Sequence, residues 1–373
     1  MKILNIIPYK VLPARLGGEK AVVLFNEYLG KKTKVWAISV KSNENEYAKN
    51  FIMFNQLSDS RLRYCNVLLY FKLRKIIRRH NITHLAIEHP YFGWLAFLLK
   101  AGNKITWFVR SHNIEFQRSE SIGRSWWKLL KFYEGWVYRK ADLVFFISED
   151  DRKLAIDELK VDEEKSFVLP YGITEKAELT EFNLAEEKIR NQYQIPADNK
   201  ILLFNGALYH HTNYNALKII LDEINPRLLR NHRGNYKIII CGKGLPDSFN
   251  ELKDYKDKNI IYAGFVEDIS LYFKAAHIFL NPIVAGGGVK TKAIEAIGYN
   301  CTVISSPLGA MGINKEVCGE KLVVIEDNNW EEFSNEVIKQ FSTNNNTPDE
   351  FYSYYDWENI TEAVIQTLKN YHA

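Results

Sequence analysis

The sequence predicts an α/β protein made of two doubly wound parallel sheets in tandem, and three observations predict it. Short runs of β-branched and aromatic residues alternate with helix-prone stretches, the alternation restarts in the second half of the chain, and most of the runs are apolar throughout. Strands without a polar face belong in sheets covered by helices on both sides. Length agrees, since 373 residues exceed what one hydrophobic core usually serves.

In chain order, the first half offers strands at Lys2–Ile7, Val35–Val40, Thr83–Glu88, Ile105–Arg110, Leu143–Ser148 and Ser166–Leu169. Pro170-Tyr171-Gly172 then punctuates the chain, so the expected domains are residues 1–171 and 172–351. A charged, helix-prone stretch, Glu175–Gln194, leads into Ile201–Asn205, Lys237–Cys241, Asn259–Tyr262, His277–Asn281, Thr302–Ser305 and Lys321–Ile325. The tail, about 352–373, is amphipathic and has no strand to follow it, which suits a helix that crosses back to the first domain.

Composition excludes several classes. Hydrophobic content of 46% with 25% charged residues is that of a globular protein, neither fibrous nor disordered. A net charge of +4 is compatible with phosphate-bearing ligands or an anionic membrane surface, but with no nucleic-acid motif it does not point to nucleic acid. Four cysteines, Cys65, Cys241, Cys301 and Cys318, show no C-x-x-C spacing, which suggests a reducing compartment and no metal cluster. Met1–Ile7 is too short for a signal-peptide core, and no apolar run approaches the roughly 20 residues that span a bilayer, so the expected location is cytoplasmic.

One stretch carries chemistry. Asn281–Ala296 joins the end of an apolar strand to a helix through Gly286, Gly287 and Gly288, and then places Lys290 and Lys292 in the helix's first turn. Cations there oppose the helix macrodipole by about 0.3–1 kcal/mol each, and a bound phosphate reverses that sign. Glu295 follows on the same helical face, where a carboxylate accepts hydrogen bonds from sugar hydroxyls. The reading is a nucleoside diphosphate site that includes the ribose. The alternative is a solvated glycine turn in which Glu295 pairs with Lys292.

A family likeness now rests on particular residues. Gly17-Gly18-Glu19-Lys20 after the first strand, Glu88-His89-Pro90, Ser111-His112-Asn113-Ile114-Glu115, Asp142-Leu143-Val144 leading to Ile147-Ser148-Glu149-Asp150, and Leu169-Pro170-Tyr171-Gly172-Ile173 lie in the first half. Phe204-Asn205-Gly206, Cys241-Gly242-Lys243-Gly244, Gly264-Phe265-Val266-Glu267-Asp268 and Gly298–Ile304 lie in the second. In this order they resemble the family 4 (group 1) glycosyltransferases over nearly the whole chain.

The resemblance implies the GT-B fold, two Rossmann-like domains facing across a cleft. It also implies retaining transfer of a sugar from a nucleotide-diphosphate sugar to a carbohydrate or lipid-linked acceptor, in polysaccharide or glycolipid biosynthesis. Donor contacts then fall to Gly17, Gly18, Gly206, Val266, Gly287, Gly288, Lys290, Lys292 and Glu295, and catalytic roles to His89, His112 and Lys290. A histidine beside a strand end is also an ordinary structural residue, and Glu115 reads as the start of the next helix. No Asp-x-Asp occurs, so no metal and no further cofactor are expected.

Two departures matter. The family carries two glutamates separated by seven residues, and Glu295 matches the second while Gly287 stands at the first. Where many members place Arg and Lys after the first strand of the second domain, this chain has Gly206–Asn213. Two alternatives therefore stay open, a catalytically silent binding subunit and a nucleotide-sugar 2-epimerase of the same fold. Two basic stretches, Tyr70–His80 and Gly123–Lys140, read either as outer faces of sheet-covering helices or as a peripheral contact with the inner face of a membrane.

Overall fold

Leu143–Phe146 has all four side chains buried, and a strand with no polar face must be covered on both sides. That constraint recurs along the chain and sets its architecture. The computed structural model describes residues 1–174, 176–231 and 235–371; Glu175, at the head of the expected helical stretch, and the last two residues of the tail lie outside them. The chain divides into two compact units, Met1–Gly172 with Tyr355–Ala373, and Ile173–Tyr354.

The first unit holds β1 (Lys2–Ile6), β2 (Lys34–Val40), β3 (Ile52–Leu57), β4 (His84–Glu88), β5 (Thr106–Ser111), β6 (Leu143–Phe146) and β7 (Ser166–Val168). They form one sheet in the order β3-β2-β1-β4-β5-β6-β7 with every pair parallel, and Leu4 of β1 lies between Trp36 and Leu85. One face is covered by α2 (Leu68–His80), α3 (Gly93–Ala101), α5 (Trp127–Lys140) and α6 (Glu149–Leu159), whose Leu73, Leu95, Val137 and Leu159 join one core. The other is covered by α1 (Gly17–Lys32) and the C-terminal helix Trp357–Asn370. The short α4 (Glu115–Ser121) follows β5. Strand β3 is absent from the sequence reading. It is an edge strand with Ile52 and Gln56 exposed, so it lacks the apolar continuity that reveals its neighbours.

The second unit holds β8 (Lys200–Asn205), β9 (Tyr236–Cys241), β10 (Ile260–Gly264), β11 (Ile278–Asn281), β12 (Thr302–Ser305) and β13 (Leu322–Val324), all parallel, in the order β10-β9-β8-β11-β12-β13. Its principal helices are α7 (Leu179–Tyr193), α8 (His211–Ile219), α9 (Asn225–Asn231), α10 (Ile269–Ala275), α11 (Thr291–Gly298) and α12 (Trp330–Lys339). Each sheet changes direction of winding once, at β1/β4 and at β8/β11. Chain connections diverge there and leave a crevice at the carboxyl ends of the strands.

The C-terminal helix is anchored by Trp357, which is fully buried and stacks on Tyr28 at 6.4 Å and edge-on to Tyr171 at 6.2 Å. Gly172 lies so close that a Cβ there would meet the indole at 2.5 Å. Lys31 and Lys32 of α1 pair with Glu358 and Glu362 on the rim, where exposed pairs contribute little. Burial of the indole is the dominant stabilisation. Trp357→Ala is expected to lower the unfolding free energy of the first unit by about 3–5 kcal/mol. Denaturant unfolding followed by tryptophan fluorescence checks this, and a loss below about 1 kcal/mol would show that the helix is not part of that core.

Candidate functional site

In the second unit, the loop after β11 is fixed before it reaches α11. Asn281 donates to Ser305 Oγ at 3.0 Å and to the Gly309 carbonyl at 2.9 Å. Gly286 has φ of 96° and backs onto Thr212, whose Oγ1 would lie 2.9 Å from an added Cβ. Only glycine suits that position. At Gly287, by contrast, a Cβ would meet nothing within 4 Å.

The lysines differ from each other. Lys290 is the N-cap of α11 and not part of its first turn, and it offers no side-chain cap to the helix N–H groups. Its ammonium turns back to the loop and donates to the carbonyls of Gly287 at 3.2 Å and Gly288 at 2.6 Å. Burial with no compensating carboxylate pushes its pKa down to about 8. Lys292 reaches across to the Asn205 carbonyl at the end of β8, at 2.9 Å. A cavity of about 150 Å³ is bounded by Asn205, Asn213, Asn281, Val289, Lys290 and Lys292, at the β8/β11 switch point. Glu295 sits half-buried one turn along α11.

Gly206 follows Asn205 at the end of β8. Its N–H donates to Cys241 O at 3.0 Å, and a Cβ on Gly242, whose φ is 147°, would lie 1.8 Å from the Gly206 carbonyl oxygen. The loops after β8 and β9 touch backbone to backbone. Val266 lies half-buried after β10, an edge strand separated from β11 by β9 and β8. It therefore stands apart from the lysine loop. Gly17 and Gly18 lie in the first turn of α1, where Glu19 accepts from the N–H groups of Arg15 at 2.7 Å and Leu16 at 3.0 Å.

In the first unit, the carboxyl ends of β1, β4 and β5 converge on Glu88, which is wholly buried. Its carboxylate accepts from Asn5 at 2.7 Å, from Arg110 Nη1 at 2.8 and 3.0 Å, and from His112 Nε2 at 2.5 Å. Burial alone would raise its pKa, but the Arg110 charge and the His112 hydrogen bond outweigh it and hold the group at about 2. Arg110 is itself sandwiched, with its guanidinium 3.7 Å from the Phe25 ring centroid. For His112 burial dominates and pushes the pKa down to about 4, so the ring is neutral near pH 7. A carboxylate can only accept, which assigns the proton to Nε2 and leaves a lone pair on Nδ1.

His89 stacks on His112 with centroids 4.6 Å apart. It is a non-glycine residue at φ 64°, and such strain persists only where the surroundings enforce it. Its Nε2 lies 3.2 Å from the Tyr9 hydroxyl. Its Nδ1 lies 3.1 Å from Glu115 Oε1 without the alignment of a hydrogen bond. Glu115 does begin α4, and it also faces this cluster.

The structure thus gathers His89 with His112, and Lys290 with Lys292 beside Asn205, the residue before Gly206. The sequence reading missed Asn5, Tyr9 and Arg110, and used Glu88 only as a strand end. A signal was available, because Arg110 and Glu88 are lone charges in otherwise apolar strands and must be paired there.

Two family models match the chain: "Glycosyltransferase Family 4" over residues 17–176 and "Glycosyl transferases group 1" over residues 199–342. A Klebsiella pneumoniae protein described as an uncharacterized 44.6 kDa protein in the cps region is 24% identical over 328 residues, 82% of this chain and 78% of that protein. Among solved structures, a glycosyltransferase from Rickettsia africae is similar at 17% identity and a TM-score of 0.72, covering 99% of this chain and 97% of that one. The Anabaena protein HepE in complex with UDP gives 14%, 0.72, 99% and 100% for the same four measures. WaaG, a glycosyltransferase involved in lipopolysaccharide biosynthesis, gives 14%, 0.65, 99% and 96%. The fold is GT-B.

The depressed His112 pKa fixes a pH dependence. Above about pH 6.5 neither folded nor unfolded chain binds this proton, and as the pH falls the unfolded chain takes it up first. Stability is therefore lost from pH 6.5 down to about 4, by about 3 kcal/mol for this group, and levels off below. The Glu88 contribution is lost separately, from about pH 4.5 towards 2. His112→Asn is expected to flatten the upper window, and melting curves between pH 7 and pH 4 check it. Parallel slopes in the two proteins would remove the assignment.

Proposed function

We propose that this chain, which belongs to the family 4 and group 1 glycosyltransferases, is a retaining enzyme. It moves a sugar from a nucleoside diphosphate sugar to a carbohydrate or lipid-linked acceptor in polysaccharide or glycolipid biosynthesis. One observation carries the donor half of this reading: Lys290, half-buried at an uncapped helix N-terminus, holds a positive charge against the helix dipole with only glycine carbonyls for partners. A diphosphate in the adjoining cavity supplies the missing anion. HepE was solved with UDP and with UDP-glucose, and WaaG serves lipopolysaccharide synthesis, which supports the ligand class and the pathway class.

In this reading Lys290, Lys292 and the N–H groups of the Gly287–Gly288 loop meet the negative charge that grows on the diphosphate as the glycosidic bond breaks. Protein cations take the part that a metal takes elsewhere, in keeping with the absence of Asp-x-Asp from the sequence. Glu295 accepts from the ribose. The resemblance gives Gly17 and Gly18, in the first turn of α1, and Gly206 and Val266, after β8 and β10, to donor contacts, and His89 and His112 offer polar contacts to acceptor or transferred sugar, the neutral His112 through Nδ1. In the same reading any contact with a membrane is peripheral; no helix among the described residues is long and apolar enough to cross one.

Lys290→Ala is expected to weaken nucleoside diphosphate at least tenfold and nucleoside hardly at all, whereas Glu295→Ala weakens both. Titration calorimetry with both ligands separates these, and equal losses for the two ligands in both variants would leave the loop a solvated turn. The lysine pKa adds a sign. Near 8 in the free protein, it rises when an anion binds, so affinity for the diphosphate is expected to fall as the pH passes above about 8, with proton uptake on binding. A pH-independent affinity from 7 to 9.5 would remove Lys290 from the diphosphate.

A second reading, binding without turnover, is favoured by Gly287, where the family has a glutamate. Room for a side chain exists at that position. Release of free nucleoside diphosphate together with glycosylated acceptor decides for the enzyme, and donor binding without release decides for the binding subunit.

A further inference from the structure

The outer surface of α2, α3 and α5 combines two properties that a solvated helical layer does not. Its charge has one sign. α2 carries Lys72, Arg74, Lys75, Arg78 and Arg79 with no carboxylate, α3 carries Lys100, and the one carboxylate of α5, Glu134, is fully buried. Among the described residues the ion pairs that reach these helices are Lys100 with Asp142 and Lys131 with Glu158, and none reaches α2. Ordinary soluble surfaces intersperse both signs.

The same surface exposes large apolar side chains. Leu68 and Phe71 on α2 are 63% and 66% exposed, Leu129 and Phe132 on α5 are both 70% exposed, and Trp126 just before α5 is 49% exposed. These are not the gaps of a loosely packed layer, because Leu73, Leu95, Leu99 and Val137 beneath them are buried in one core. Nor are the helices separate patches. Phe97 of α3 packs on Trp136 of α5 at 5.4 Å, and a Cβ on Gly102 at the end of α3 would lie 2.8 Å from the Tyr70 hydroxyl of α2.

An open, shallow stretch of surface along α2 is formed by Phe71, Arg74, Lys75, Arg78 and Arg79. Arg74 Nε is buried at its edge without an acceptor. Cations without carboxylates answer to anions, and exposed Leu and Phe beside them answer to an apolar phase. A nucleic acid or an acidic polypeptide supplies the first alone, whereas a bilayer with phosphate headgroups supplies both.

We propose that this face docks on a lipid surface rich in anionic phosphate headgroups, with the cations of α2 against the phosphates and Phe71, Leu129 and Phe132 in the apolar boundary. Such docking brings the enzyme to a lipid-linked acceptor and to that extent rests on the function proposed above.

Flotation of the full chain with phosphatidylcholine vesicles, and with mixed phosphatidylcholine and phosphatidylglycerol vesicles, tests it. Binding is expected to the mixed vesicles only and to weaken with added salt. Lys75→Gln with Arg79→Gln is expected to reduce partitioning roughly fivefold for each charge removed. Leu129→Ser with Phe132→Ser is expected to reduce it as well, with melting temperature and nucleotide affinity unchanged in both variants. Equal binding to both vesicle types, no binding to either, variants that float like the unaltered chain, or capture by DNA or polyglutamate in place of vesicles would each overturn the proposal. Lys290→Ala is expected to lose nucleotide yet float normally, so failure of the donor site and failure of the docking face read out separately.

Discussion

The first unit depends on one buried carboxylate. Glu88 ends β4 at the point where the sheet reverses its winding, and its partners come from β1, from β5 and from the loop after β5. Removing any one partner would leave a charged group in the interior with too few hydrogen bonds, a situation that costs several kcal/mol. The carboxylate therefore specifies how three strand ends meet. The same contact sets the state of His112: the ring donates a hydrogen bond from Nε2–H to Glu88, and burial keeps it neutral. Structure and chemistry are not separable here, because the group that orders the strand ends also orients the imidazole beside His89.

The second unit solves a different problem with backbone in place of charge. Its loops after β8, β9 and β11 must crowd the end of the sheet and leave a space large enough for a ligand. The close approach of Gly242 to the Gly206 carbonyl, and of Gly286 to Thr212, achieves the crowding, and no side chain larger than hydrogen fits the first. What remains open is bounded by the side chains of Asn205, Asn213 and Asn281 and by two lysines. Helix α11 begins there with its N–H groups uncapped by a side chain. In the function proposed above, the anion meets geometry that exists before it arrives.

Much of this was legible in the sequence. Fully apolar strands reveal themselves by composition, which is why Leu143–Phe146 and Lys200–Asn205 could be placed, and why the edge strand Ile52–Leu57, half polar and half exposed, could not. The glycine and lysine loop was legible because its residue types are costly unless used. Its detail was not. That Lys290 stands just outside the helix without capping it and folds onto two carbonyls depends on loop dihedrals that spacing does not encode. The Glu88 cluster was illegible for the opposite reason: its members are 83, 22 and 24 residues from Glu88, and only the strand order brings them together.

The three charged features of this chain can be set on one scale by asking what answers each charge. Glu88 and Arg110 answer each other within the core, and their pairing is complete, so they are structural in the first instance. Lys290 is answered only by carbonyl dipoles, which leaves its pKa depressed and its ammonium available to a stronger acceptor. The cations of α2 have no ion-pair partner among the described residues and stand beside exposed Leu68 and Phe71. Charge left partly answered in a packed protein is a cost that folding alone does not explain, since a neutral residue of the same length would pack as well. The incomplete pairing is therefore a better guide to where this protein meets other molecules than the count of its charges, whose sum is only +4.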